Sequence, residues 1–146
     1  MEQQEFFDLY TTEGEQIPQQ PWQNYPRPQM RRNSFLNLNG LWDFASSPSP
    51  DLPEQFSQTI LVPFPPQSLL SGIHTDIPED HFLFYRKQFS HPSDSRNGRT
   101  LLHIGATDQI AEVWLNGTFL GKHEGGYEPF SFDITAFLQE DNTLII

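Results

Sequence analysis

Between residues 110 and 135 the chain shows its clearest alternation of apolar and polar positions. Ala111, Val113 and Leu115 alternate with Glu112 and Trp114, which predicts a strand that sends three apolar side chains to one face. Asn116-Gly117 follows directly. Both central residues of a two-residue type I′ turn need positive φ, which Asn tolerates and Gly adopts freely, so a hairpin is expected with 118–122 as the return strand. The run 123–129, with Gly125, Gly126 and Pro129, breaks every period and predicts a loop. Phe130, Phe132 and Ile134 then alternate with Ser131, Asp133 and Thr135, and Asp133 or Thr135 is placed to cap the short turn that begins at Ala136.

Further strands are predicted at 41–45, 59–62, 81–89, 100–104 and 143–146, separated by turn-rich stretches. In 81–89, Phe82, Phe84 and Arg86 share one side and Leu83, Tyr85, Lys87 and Phe89 the other, the pattern of a strand covered on both faces. Residues 67–80 lack a clean period and read as an irregular excursion, either a functional loop or a crossover between two sheets. Residues 91–98 read as a hairpin-type connection. Four prolines in 17–29 enforce extended backbone, with Trp22 and Tyr25 as the side chains that pin it. Residues 1–24 read as a polar, loosely held arm with an apolar cluster at Phe6, Phe7, Leu9 and Tyr10. About eight short strands without an internal repeat predict an all-β, two-sheet jelly-roll sandwich over 25–146.

Composition agrees with that picture and narrows the partners. A chain of 146 residues is the size of one domain, and its thirteen Phe, three Trp and four Tyr supply bulky core material. Nineteen acidic side chains against eight Lys and Arg give a net charge of −11, which argues against nucleic acid and anionic membranes as partners. No apolar run approaches the roughly 20 residues of a membrane span, and the first ten residues lack the pattern of a signal peptide, so a cytoplasmic location is expected. The absence of Cys excludes disulfides and thiolate metal sites.

Several pieces of the chain, in one order, resemble glycoside hydrolase family 2. They are Tyr25-Pro-Arg-Pro28, Leu38-Asn-Gly-Leu-Trp-Asp-Phe44, Val62-Pro-Phe64, Ser71-Gly-Ile73, Phe84-Tyr-Arg86, Gly105-Ala-Thr-Asp108, Glu112-Val-Trp-Leu-Asn-Gly117, and the run from His123-Glu-Gly-Gly-Tyr127 to Thr135. The likeness is to that family's N-terminal sugar-binding jelly roll, a domain of β-galactosidases, β-glucuronidases and β-mannosidases. The His-Glu-Gly-Gly-Tyr loop is most like the β-glucuronidase branch. The resemblance implies that an immunoglobulin-like sandwich and a (β/α)8 barrel with two catalytic glutamates complete the parent enzyme. It also implies that the jelly roll is incomplete at its C-terminal strands, leaving an open sheet edge through which copies would self-associate. Pro65 stands where the β-galactosidase type places an Asn that reaches the sugar, which weakens a strict β-galactosidase assignment.

No catalytic residue is assigned within the chain. Glu124, Glu128 and Asp133 are close in sequence, but retaining hydrolysis needs two carboxyl groups about 5–5.5 Å apart, which sequence spacing does not establish. Glu124 and Tyr127 are expected to pin the glycine loop through its backbone N–H groups. His123, Glu124 and Tyr127 are the candidate substrate contacts. His74, His81, His91, His103 and His123 lack helical zinc spacing, so no metal or other cofactor is predicted. The function expected is that of a non-catalytic domain rimming the barrel's pocket. A free-standing carbohydrate-binding module and a structural or oligomerisation domain are the alternatives.

Overall fold

The computed structural model describes residues 9–90 and 98–146; the predicted connection 91–98 and the apolar pair Phe6-Phe7 fall almost wholly outside them. Eight strands run in chain order: β1 Gly40–Ser47, β2 Gln58–Val62, β3 Phe82–Ser90, β4 Leu101–Ile104, β5 Ile110–Leu115, β6 Thr118–Glu124, β7 Phe130–Asp133 and β8 Asp141–Ile145. They form two antiparallel sheets. One has six strands in the order β2-β1-β3-β8-β5-β6, and the other pairs β4 with β7. The predicted all-β, two-sheet architecture is thus observed.

Two connections differ from the sequence reading. β2 and β3 flank β1 in the same sheet, so the excursion 67–80 passes over β1 and does not change sheets. β3 and β4 lie in different sheets, so they are not partners in a hairpin. Turn-forming residues such as Ser, Asp and Gly suit both connections, and only long-range pairing distinguishes them.

The core sits where the alternation put it. Ala111, Val113 and Leu115 of β5 are buried, and Val113 and Leu115 pack with Trp42 and Phe44 of β1, Ile60 of β2, Leu144 of β8, Leu102 of β4 and Ile134. The Tyr85 ring meets Phe44 edge-on at 5.1 Å, and burial pushes its phenol up to about 12. On the other face of the large sheet Ala45 and Phe84 are also buried. Central strands are therefore covered on both sides.

The hairpin has the predicted turn, with φ of 51° at Asn116 and 78° at Gly117. Leu120 is an extra residue on β6: Trp114 pairs with Phe119, but Val113 pairs with Gly121. That shift turns Gly121 toward the small sheet. A Cβ there would lie 2.7 Å from the Phe132 ring of β7.

The Asn116 side chain does more than permit the turn. Its Nδ2 donates to the Phe137 carbonyl at 2.8 Å and to Asn142 Oδ1 at 3.0 Å, and its Oδ1 accepts from the Thr143 N–H at 2.8 Å. Asn142, 2% exposed, also holds the Gln139 N–H and carbonyl. The side-chain polar atoms of the pair are satisfied, so one buried and one half-buried amide fasten the hairpin to β8 and to the β7–β8 turn.

The part of the arm that is described is fastened. Pro21 is fully buried, Gln23 donates to the Asn39 carbonyl, Asn37 donates to the Trp22 carbonyl, and the Trp22 ring lies 5.4 Å from Phe64. Tyr25 meets Phe35 edge-on at 5.0 Å. Trp22 and Tyr25 thus pin this segment as its prolines predicted.

Two substitutions test these contacts. Gly121→Ala is expected to lose about 1–3 kcal/mol through overpacking against Phe132, read as a fall in the urea midpoint. Asn116→Ala is expected to lose about 2–4 kcal/mol and Asn116→Gly less, because Gly keeps the positive φ and forfeits only the hydrogen bonds; equal losses would assign the whole effect to the side chain.

Candidate functional site

The loops 105–109 and 125–129 meet at one end of the sandwich, where β4 and β6 finish and β5 and β7 begin. The Gly125 N–H donates to the Gln109 carbonyl at 2.8 Å. Gly126 lies so close to Asp108 that a Cβ would sit 2.7 Å from its Oδ1. Two adjacent glycines are therefore needed for different reasons: Gly125 has φ of 131°, and Gly126 admits a carboxylate against its backbone.

The three candidate contacts separate here. His123 belongs to β6, which runs two residues past the predicted 118–122, and its ring stacks on Phe130 at 4.1 Å with Nε2 3.2 Å from the Gly125 carbonyl. It is a packing and loop-holding residue. Glu124 also ends β6 and pairs with Lys122 at 2.7 Å; that hydrogen bond and charge hold its carboxyl below the usual value. Tyr127 is 98% exposed. The expectation that Glu124 and Tyr127 pin the loop is therefore corrected: the Gln109 carbonyl holds it and Asp108 lies against it, because the strand's extension carries Glu124 out to Lys122 and leaves Tyr127 beyond the fold.

Sequence reasoning missed Asp108 and Gln109 as loop partners. Asp108 had been noted only as the end of Gly105-Ala-Thr-Asp108, and nothing local reveals that it meets a glycine 18 positions later.

The other polar residues have structural partners. Asp133 Oδ1 accepts from Thr135 Oγ1 at 2.6 Å and from the Thr135 N–H at 3.1 Å, the capping role expected of it, while Arg99 Nε reaches Oδ2 at 2.8 Å. His103 and His81 each bond a serine, Ser131 at 2.6 Å and Ser46 at 2.7 Å. Among the described residues no three His, Asp or Glu side chains gather as a metal site. This end of the sandwich presents the exposed Tyr127 ring on a loop held at Gly125.

Comparison with known proteins decides the family. The glycosyl hydrolase 2 galactose-binding domain-like family matches residues 74–146, which include both loops and the hairpin. The chain belongs to glycoside hydrolase family 2. A beta-galactosidase of Thermoanaerobacter pseudethanolicus is 35% identical over 72 residues, 47% of this chain and 10% of the relative. The beta-glucuronidase of Felis catus is 28% identical over 137 residues, 79% of this chain and 20% of the relative. The structure of Bifidobacterium dentium beta-glucuronidase complexed with coumarin-3-O-glucuronide superposes with a TM-score of 0.57 at 30% identity, covering 74% of this chain and 18% of that one. The chain thus spans a tenth to a fifth of the length of these relatives, and what it matches is their N-terminal domain.

The hydrogen bonds to Asp133 lower its pKa from 3.8 to about 2, those from Thr135 acting first and Arg99 after them. A depressed carboxylate stabilises the fold above the unfolded value and loses that contribution as pH falls through the folded one. The wild type should therefore exceed Asp133→Asn in urea midpoint at pH 7, and the gap should close between about pH 4 and pH 2; a gap independent of pH would remove the ionised carboxylate as its source.

Proposed function

We propose that this chain is the non-catalytic N-terminal domain of a retaining β-glycosidase acting on β-galactosides or β-glucuronides. In this reading it packs on a (β/α)8 barrel through an end of the sandwich and completes the rim of the barrel's sugar pocket. One observation supports it above the others: a glucuronidase matches 79% of this chain with only a fifth of its own length. The remaining four fifths have room for an immunoglobulin-like sandwich and a barrel.

The chemistry divides accordingly. Retention needs a nucleophile and an acid/base carboxyl about 5–5.5 Å apart, and the barrel supplies both. The jelly roll supplies position. Tyr127, carried outward on a loop held by the Gln109 carbonyl, presents an aromatic face to the sugar or its leaving group. Such a contact lowers the free energy of the bound substrate and narrows its orientations. His123, stacked on Phe130 and bonded to the Gly125 carbonyl, supports that loop's root.

The 146-residue chain alone should leave nitrophenyl β-galactoside and β-glucuronide intact, and the parent enzyme should cleave one of them. Tyr127→Ala in the parent should lower kcat/KM about tenfold. Turnover by the isolated chain would overturn the non-catalytic reading, and an unchanged kcat/KM would remove Tyr127 from the rim.

A further inference from the structure

Charge is unevenly sorted along the chain. From Gln16 to Trp42 there is no acidic residue, and Arg27, Arg31 and Arg32 make that stretch +3, which leaves five basic against nineteen acidic side chains, a charge of −14, for the rest. The three arginines lie in one loop, 26–34, whose ends are tied together: the Tyr25 and Phe35 rings meet at 5.0 Å, and Asn37 donates to the Trp22 carbonyl at 2.8 Å. Inside the loop the Met30 N–H donates to the Arg27 carbonyl at 3.1 Å, closing a single 3-10 turn over Pro28–Met30.

Every other described Lys and Arg side chain has an acceptor within the fold: Arg86 bonds Asp43, Lys87 the Leu41 carbonyl, Arg99 Asp133 and Lys122 Glu124. Arg27, Arg31 and Arg32 are exposed, and among the described residues none of them makes a hydrogen bond, ion pair or ring contact. Beside them Met30 is 72% exposed, Leu36 49% and Phe35 40%. Arg, Met and aromatic side chains together are what protein interfaces are enriched in. The complement is on the same chain. Asp76, Glu79 and Asp80 are exposed and equally unpaired among the described residues, within a span, 33–85, that holds no Lys or Arg. Three guanidinium groups and three carboxylates thus go unmatched in one copy, where no ion pair joins them.

From this we infer that the arginine loop of one copy docks on the 76–80 run of a second copy. A guanidinium grips a carboxylate through two parallel N–H donors and gives up its hydration more readily than an ammonium, which suits the loop to a contact between proteins. The net charge of −11 opposes the encounter. At about 0.1 M salt, however, screening over about 10 Å suppresses repulsion between distant charges and spares ion pairs in contact. The loop is held at its base, so little backbone order remains to be lost on docking.

The test is the mass of the 146-residue chain in solution, followed by sedimentation as its concentration is raised. In about 0.1 M NaCl the mass should climb above that of the monomer with a Kd of about 10–100 µM; in about 1 M NaCl, where the screening distance falls to about 3 Å, the Kd should rise about tenfold. Arg31→Glu/Arg32→Glu and Asp76→Lys/Glu79→Lys should each weaken association at least about tenfold. An equimolar mixture of the two variants should restore it, since the reversed loop of one then faces the reversed run of the other. Each double change shifts the net charge by four, from −11 to −15 and to −7, so both variants stay negative and bulk attraction cannot produce the recovery. All four positions are exposed, and an unchanged circular dichroism spectrum shows that the fold persists. A monomer up to about 1 mM, association indifferent to salt, persistence in either variant, or a mixture that stays monomeric would each overturn the contact. The salt comparison uses the unaltered chain and so stands even where a variant fails to fold.

Discussion

The closure of the two sheets depends on the approach of Phe132 to the backbone of Gly121. A two-stranded sheet brings little area of its own, so it must press closely on the larger one to bury Leu102 and Ile134 against Val113 and Leu115. The extra residue Leu120 makes that approach available by placing a glycine, instead of a side chain, beneath the aromatic ring. Burial of the common core follows from this contact, and so does the juxtaposition of the loops at the end where β6 hands over to β7.

Much of this was legible along the chain because its causes are local. Alternation at 111–115 is a direct statement of which face is wet, and Asn116-Gly117 names a turn by its backbone angles alone. Family resemblance followed from the order of short motifs. What was not legible depends on distant pairing. The destinations of β3 and β4 are set by which strands lie beside them, and Ser- and Gly-rich connections look alike whether they turn back or cross over. The end of β6 was hidden for a related reason: His123 and Glu124 look like loop residues until Phe130 is seen stacked on one and Lys122 paired with the other.

The functional residues divide along the same line. Tyr127 is legible as part of the His-Glu-Gly-Gly-Tyr run, but its near-complete exposure and the Gln109 carbonyl that holds its loop are tertiary facts.

The hydrogen bonds around Asn116 also bear on how the molecule ages. An Asn followed by Gly is chemically fragile, since the next backbone nitrogen can attack the carboxamide and convert it through a cyclic imide to a carboxylate. Here both ends of that carboxamide are engaged, by Phe137, Asn142 and Thr143, which restrains the rotation such an attack requires. The folded state thereby protects the residue that fastens it. A chain held unfolded lacks that protection, and once the side chain has lost its nitrogen as ammonia and become Asp, position 116 has no side-chain N–H with which to reach Phe137 or Asn142, so time spent unfolded erodes the capacity to fold.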